Sequence, residues 1–502
     1  MVVTLVKKYR IEIIVSLLFL GLFLFIRLIN LTIIPIFVDE AIYLRWAQIA
    51  KNDASWRFIS LTDGKQPLFV WLTMVMMKFI QDPLVAGRVV SVLTGLVSMV
   101  GIWFLSFVLF ENRRLAFFAA FLYLTSPFCL LYDRMALMDA MVGTFSIFSL
   151  VGLVLLVKTF RLDVALILGW ILGGGILTKT SGFFNIYLAP LSLLLFDWRD
   201  KKRLFNLLRW LGLVFLAVVI SQIFYSILRL SPWFHMIAQK DTTFVYPIRE
   251  WLSHPFLFFW GNLKGQLDWL VNYLTLPIVI LVILSLIFIW QKTQEKLLLF
   301  SWFFAPFVAL ALFGKVLYPR FILFMSLPLL VLAAWSLEEI TKRIRRKWLL
   351  FTFYILLFTF SLYIDFRLLS NPKMALIPQN DRNQYIDSWP AGYGIKEIVA
   401  FANEKAKADK IFIGTEGTFG LMPASLELYL WDNSNVEIKG FWPVKEIPLE
   451  AMEKSKEKPS YFVFNETQKV SQEWPLKLVA EYPRPDPHYS MRLYQILKNH
   501  SQ

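Results

Sequence analysis

The chain has 502 residues, 57% of them hydrophobic and 17% aromatic, and a formal net charge of +15. Apolar runs of the roughly 20 residues that a helix needs to cross a bilayer recur along it, which excludes an ordinary soluble protein and points to a polytopic α-helical membrane protein. Much of the Lys and Arg sits in short clusters between these runs, where positive charge sets topology, so nucleic acid is not expected as a partner; a single cysteine, Cys129, excludes an intramolecular disulfide.

The opening "KKYR" precedes an apolar run with no small-residue cleavage site, so the first span is expected to stay in the chain. Hydropathy, helix breakers and flanking charges place spans near 11–29, 84–109, 115–132, 138–157, 163–178, 182–196, 207–228, 269–290, 297–313, 318–336 and 348–365. Basic residues fall on alternate turns: Lys7, Lys8 and Arg10; Arg113 and Arg114; Lys158 and Arg161; Arg199 to Arg203; Lys292 and Lys296; Lys342 to Lys347. Positive loops stay in the cytoplasm, so the N-terminus is expected there and the C-terminus outside.

After Arg367 the composition becomes that of a soluble domain, which divides the chain into a membrane region, 1–368, and an extracytoplasmic region, 375–502. "GIKEIVAFANEKAKA" reads as an amphipathic helix, "DKIFIGTEG" as a strand and "LMPASLELYLW" as a helix. "VEIKGFW", "SYFVFNE", "LKLVAEY" and "MRLYQIL" read as further strands, which together give a small α/β layer.

The outward turns carry acids, cations and tyrosine. "FVDEAIYLRW" sets Asp39 and Glu40 at the end of an apolar run, and a carboxylate at that depth needs solvent, a partner or a function. Residues 41–49 read as an interfacial helix with Tyr43 and Trp46 at headgroup level, where a base meets lipid-linked and water-borne groups together. "DRMALMD" brings Arg134 and Asp139, which are not at the i,i+4 spacing of a helical pair and by themselves read as a snorkelling cation and a helix cap. "LTKTSG" places Lys179 in a tight turn. "GKVLYPRF" gathers Lys315, Tyr318 and Arg320 against the positive-inside trend, and such cations suit a phosphate. "GTEGTFG" matches neither the dinucleotide fingerprint nor a P-loop and reads as a strand-to-helix turn.

In this order, "VDE" at Asp39 and Glu40, "KQPL" from Lys65, "RMALMD" from Arg134, "LTKTSG" around Lys179 and "KVLYPRF" around Arg320 resemble the motifs of the GT-C glycosyltransferase superfamily. The likeness is closest to relatives of protein O-mannosyltransferases and lipid A aminoarabinose transferases. Two details depart from it: the turn at Lys179 reads Thr-Lys-Thr-Ser-Gly rather than Lys-Gly, and Gln66 stands where related chains often have Pro.

The resemblance implies a GT-C-like bundle and an enzyme that moves a hexose or pentose from a polyprenyl (dolichyl-type) phosphate to an extracytoplasmic lipid, glycan or protein. Asp39 would be the catalytic carboxylate, with Glu40 beside it. Lys65, Arg134 and Asp139 would position donor and acceptor; Lys179, Lys315, Tyr318 and Arg320 would bind the lipid phosphate as its charge develops. Attack from the face opposite the phosphate would invert the anomeric centre, and a covalent carboxylate intermediate with retention is the rival. No cofactor is implied, and a divalent metal only if the donor is a pyrophosphate. The alternative class, a transporter or flippase for a lipid-linked or anionic substrate, would place ionisable residues in mid-span or show internal repeats.

Overall fold

The computed structural model describes residues 9–287 and 291–498. Lys7 and Lys8 of the first basic cluster, and the end of the span expected at 269–290, lie outside the described residues. Among these residues seven helices are long and apolar enough to cross a membrane: Arg10–Leu28, Pro83–Phe110, Asp139–Thr159, Arg203–Leu230, Thr293–Phe313, Pro319–Arg343 and Lys347–Ser370. The protein is a multi-pass membrane protein.

Four of the expected spans take another form. Arg113–Leu124 and Pro127–Asp133 are bent by 62° where Pro127 cannot donate to the preceding turn, and Phe259–Leu274 and Leu276–Ile287 by 107°. Leu162–Thr178 has 17 residues, and Thr180–Leu195 is largely 3₁₀-helix, wound more tightly than an α-helix. Its larger rise per residue lets so short a segment reach further than an α-helix would.

The Val38–Asn52 helix does not lie in the lipid interface: Tyr43 and Trp46 are only 6% and 5% exposed. It is roofed by the C-terminal region, whose Leu421–Tyr429 helix packs on it. Arg45 pairs with Glu427 at 3.0 Å, and Gln48 donates to the carbonyl of Leu428. Amphipathic patterning specified the helix, and protein rather than headgroups covers its outer face.

That helix begins on a buried polar knot. Glu40, fully buried, accepts from its own N-cap amide at Phe37, from the amide of Ala136, and from Arg88 through two nitrogens at 2.8 and 2.7 Å. Arg88 also donates to the carbonyls of Leu31, Ile34 and Pro35, which ties the loop after the first span to the Pro83–Phe110 helix. Arg134 plays a matching part at the end of the first span, donating to the carbonyls of Ile26, Arg27, Ile29 and Asn30 that the helix leaves open.

The C-terminal region is a five-stranded sheet of β1 (Ile411–Glu416), β2 (Val436–Phe441), β3 (Ser460–Phe464), β4 (Leu476–Pro483) and β5 (Ser490–Ile496), in the order β2-β1-β3-β5-β4. β1 runs parallel to both β2 and β3, and β5 antiparallel to β3 and β4. β1 and β3 are wholly buried, as central strands covered on both faces are. A helix at Leu449–Glu457, not anticipated from the sequence, makes the crossover from β2 to β3. The sheet is joined to the bundle by a pairing of Phe37 with Ala391.

Arg88→Ala would leave Glu40 buried with half its partners gone. The expected cost is about 3–5 kcal/mol, read as a lowered melting temperature of the detergent-solubilised protein. An unchanged melting curve would remove the knot from the account of the fold.

Candidate active site

The turns at one end of the spans and the sheet enclose a cavity of about 600 Å³. Asp39, Lys65, Asp139, Lys179, Tyr318 and Arg320 all face it, although they come from five separate parts of the chain. Glu40, Arg134 and Lys315 do not. The first two are spent in the buried contacts described above. Lys315 is 41% exposed and lies 4.0 Å from Glu250, outside the cavity.

Three ion pairs line the wall. Asp39 meets Arg320 at 2.8 Å, Asp139 meets Lys179 at 2.7 Å, and Asp63 meets Lys240 at 2.6 Å. Asp39 is held at the N-terminus of its helix by the neighbouring Glu40 knot. Arg320 sits in the turn that opens the Pro319–Arg343 span, packed against the rings of Phe37, Tyr318 and Phe321. Lys179 lies over the ring of Phe321 at 4.4 Å.

Lys65 differs from the other cations. No carboxylate stands within ion-pair distance among the described residues, and its ammonium sits 4.9 Å from the Phe244 ring centre. Burial, assisted by the like charges of Lys179, Lys240 and Arg320 and opposed by Asp39, pushes its pKa down to about 8. Nearby, burial raises the carboxyl of Asp241, a shift opposed by a hydrogen bond to Thr180 and by the charge of Lys65.

Behind Arg320 lies a second buried cluster. Arg320 approaches the hydroxyl of Tyr385 at 3.4 Å, Tyr385 approaches Tyr132 at 3.5 Å, and Tyr132 and Tyr273 both donate to Oδ2 of Asp381. Asp381 and Tyr385 belong to the segment joining the last span to the sheet, so this cluster fixes the link between them as well as the guanidinium. Among the described residues no three His, Cys, Asp or Glu side chains are grouped to hold a metal ion.

The fold has counterparts. Residues 64–225 match the family model described as dolichyl-phosphate-mannose-protein mannosyltransferase. ArnT from Cupriavidus metallidurans in the apo state superposes with a TM-score of 0.60 at 14% identity, over 98% of this chain and 99% of that one.

The chain has the GT-C fold. The same Cupriavidus ArnT bound to undecaprenyl phosphate matches with a TM-score of 0.58 at 14% identity, again over 98% and 99% of the two chains. The apo oligosaccharyltransferase of Archaeoglobus fulgidus matches at 0.50 with 13% identity, over 91% of this chain and 70% of that one. No curated protein sequence matches.

Sequence reasoning missed the part of this GT-C cavity made by Asp63, Lys240 and Asp241, and the rim made by Glu416, Asn465 and Glu466. The first group had a faint signal, "QKD" in a long outward segment. The rim had none, because its residues meet when β1 pairs with β3 and reach the cavity only when the sheet docks.

Burial pushes the Asp381 carboxyl up to about 6, against the hydrogen bonds of Tyr132 and Tyr273. A carboxyl raised in this way adds stability that is complete below its unfolded pKa of about 4 and lost as pH rises through about 6. Wild type should therefore lose more melting temperature between pH 4.5 and 7 than Asp381→Asn does. Parallel pH profiles would sink this assignment.

Proposed function

We propose that this protein is an integral-membrane glycosyltransferase that moves a sugar from a polyprenyl (dolichyl-type) phosphate to an acceptor on the extracytoplasmic face. The observation that carries the reading is the Asp39–Arg320 pair opening onto a cavity whose wall mixes paired charges with Ile42, Val142, Phe183, Tyr187 and Phe324. A lipid phosphate sugar has the same two-part chemistry. The distribution of basic clusters favours a cytoplasmic N-terminus, which would put the cavity and sheet outside.

In the reaction, the acceptor hydroxyl oxygen attacks the anomeric carbon and the bond from that carbon to the phosphate oxygen breaks with its electron pair. The hydroxyl proton passes to Asp39, which Arg320 orients. The leaving polyprenyl phosphate gains a negative charge on departure. Lys65 is placed to receive it, being the cavity cation without a carboxylate of its own, with Lys179 close behind. Attack opposite the leaving phosphate inverts the anomeric centre. Because Asp39 and Asp139 each already face a cation, the site favours a monophosphate donor that needs no divalent metal.

The reading is tested with purified protein, labelled polyprenyl phosphate hexoses and crude envelope acceptors. Asp39→Asn should lower transfer by at least about 100-fold while its melting curve stays that of a folded protein. Transfer that survives the substitution would remove Asp39 from the mechanism.

Lys65 supplies a pH test. Below about 8 its ammonium is already charged, and above that value a proton must be taken up when an anion binds. Affinity for a polyprenyl monophosphate should therefore weaken as pH rises beyond about 8. Lys65→Ala should bind weakly and without that pH dependence, whereas Lys315→Ala should bind as wild type. Equal losses in both variants would contradict the assignment.

A further inference from the structure

The cavity has two sides of different chemistry. All of its cations, Lys65, Lys179, Lys240 and Arg320, come from the membrane bundle and its loops. The side made by the sheet contributes Glu416, Gly417, Phe419 and Gly420 from the turn after β1, Asn465 and Glu466 from the turn after β3, and no Lys or Arg. Trp389, in the segment leading into the sheet, completes it.

This rim is a built crevice. β1 has β2 on one side and β3 on the other, both parallel to it, so the carboxyl ends of β1 and β3 lie side by side at one end of the sheet. In open α/β sheets ligands bind outside the carboxyl ends of the strands. Glu416 accepts from the main-chain amides of Asn465, Glu466 and Thr467 and from the Thr467 hydroxyl, which welds the two turns together. Gly417 and Gly420, at φ of 109° and 119°, take backbone conformations that side chains rarely adopt, and they hold the turn open toward the Asp39 helix. Arg484 fixes Asn465 from behind through its side-chain oxygen. Phe419 leans on Trp46 with ring centres 6.3 Å apart.

Two groups on this rim are not used up by the fold. The carboxylate of Glu466 has no hydrogen-bond or ion-pair partner among the described residues, and Phe419 is 58% exposed. A free carboxylate accepts hydrogen bonds from hydroxyl or ammonium groups, an aromatic ring takes the apolar face of a pyranose, and the carboxylates of this side, with no Lys or Arg beside them in the cavity wall, repel a phosphorylated group.

Resting on the transferase reading above, we infer that the carboxyl ends of β1 and β3 form the acceptor subsite, and that the acceptor is a carbohydrate, neutral or amino-substituted, presenting its hydroxyl to Asp39 across the cavity. The sheet would thus select the acceptor while the bundle holds the donor. Nothing in the membrane region alone would then distinguish one acceptor from another.

The test uses the full-length protein in nanodiscs and two separate readouts. One is binding of a polyprenyl monophosphate. The other is binding to a printed panel of neutral, amino-substituted and phosphorylated oligosaccharides together with Ser/Thr-rich peptides. Wild type is expected to bind neutral or amino-substituted members. Glu466→Lys and Phe419→Ala should each weaken that binding at least about tenfold, the effect of losing one charge-assisted hydrogen bond or stacking contact. Both variants should keep the lipid phosphate affinity of wild type, which shows that they are folded. Selective binding of phosphorylated glycans or of peptides would overturn the inference. So would glycan binding indifferent to both substitutions, or no glycan binding by a protein that still takes the lipid phosphate. If wild type fails to bind the lipid phosphate, the failure falls on the transferase reading instead.

Discussion

The buried pair of Glu40 and Arg88 is the contact on which the rest of the site depends. Isolated charges of either sign are expensive inside a membrane protein, and this pair is tolerable because three carbonyls and two amides hydrogen-bond it in addition to the two bonds between the partners. Its effect is positional. Asp39 is the residue before Glu40, so once Glu40 is locked inward at the start of its helix, Asp39 is turned toward the cavity and across to Arg320. Two adjacent carboxylates of identical charge thus receive different work from one turn of helix.

The cavity resolves a related problem by pairing. Most of its bundle-side carboxylates face a cation at short range, which keeps a confined, partly apolar space from accumulating unbalanced charge. Lys65 is the exception, and the cost is visible in its depressed pKa. A cation kept without a partner where burial disfavours it is what a site for an arriving anion requires. The sheet side carries the opposite bias. The two substrates of a transfer reaction would therefore meet surfaces of opposite character.

Membrane spans, the alternation of strands and helices after Arg367, and the convergence of Asp39, Asp139, Lys179 and Arg320 were all legible in the sequence. Hydropathy, periodicity and a one-sided distribution of ionisable residues are local or additive signals, and they survive without knowledge of contacts. What the sequence did not disclose was the division of labour among those residues. Glu40 and Asp39 are chemically alike, and only the position of Arg88, 48 residues further on, separates them. The resemblance gave Arg134 a positioning role, yet carbonyls at the end of the first span claim it. The turn "GTEGTFG" was read as structural, and it is structural; its second character, as a cavity wall, depends on docking of the sheet and has no footprint in its own residues.

Arg320 follows Asp39 by 281 residues, and this separation bears on how the protein is made. At a synthesis rate of ~5–20 residues per second, Asp39 leaves the ribosome roughly 15–55 s before its partner exists. The strands that close the cavity come later still. During that interval the carboxylate waits at the membrane with its arginine missing, and the growing chain has no assembled site with which to engage a lipid carrier. The order of synthesis is thus a built-in timer: the cavity cannot assemble until a late segment has folded against an early one.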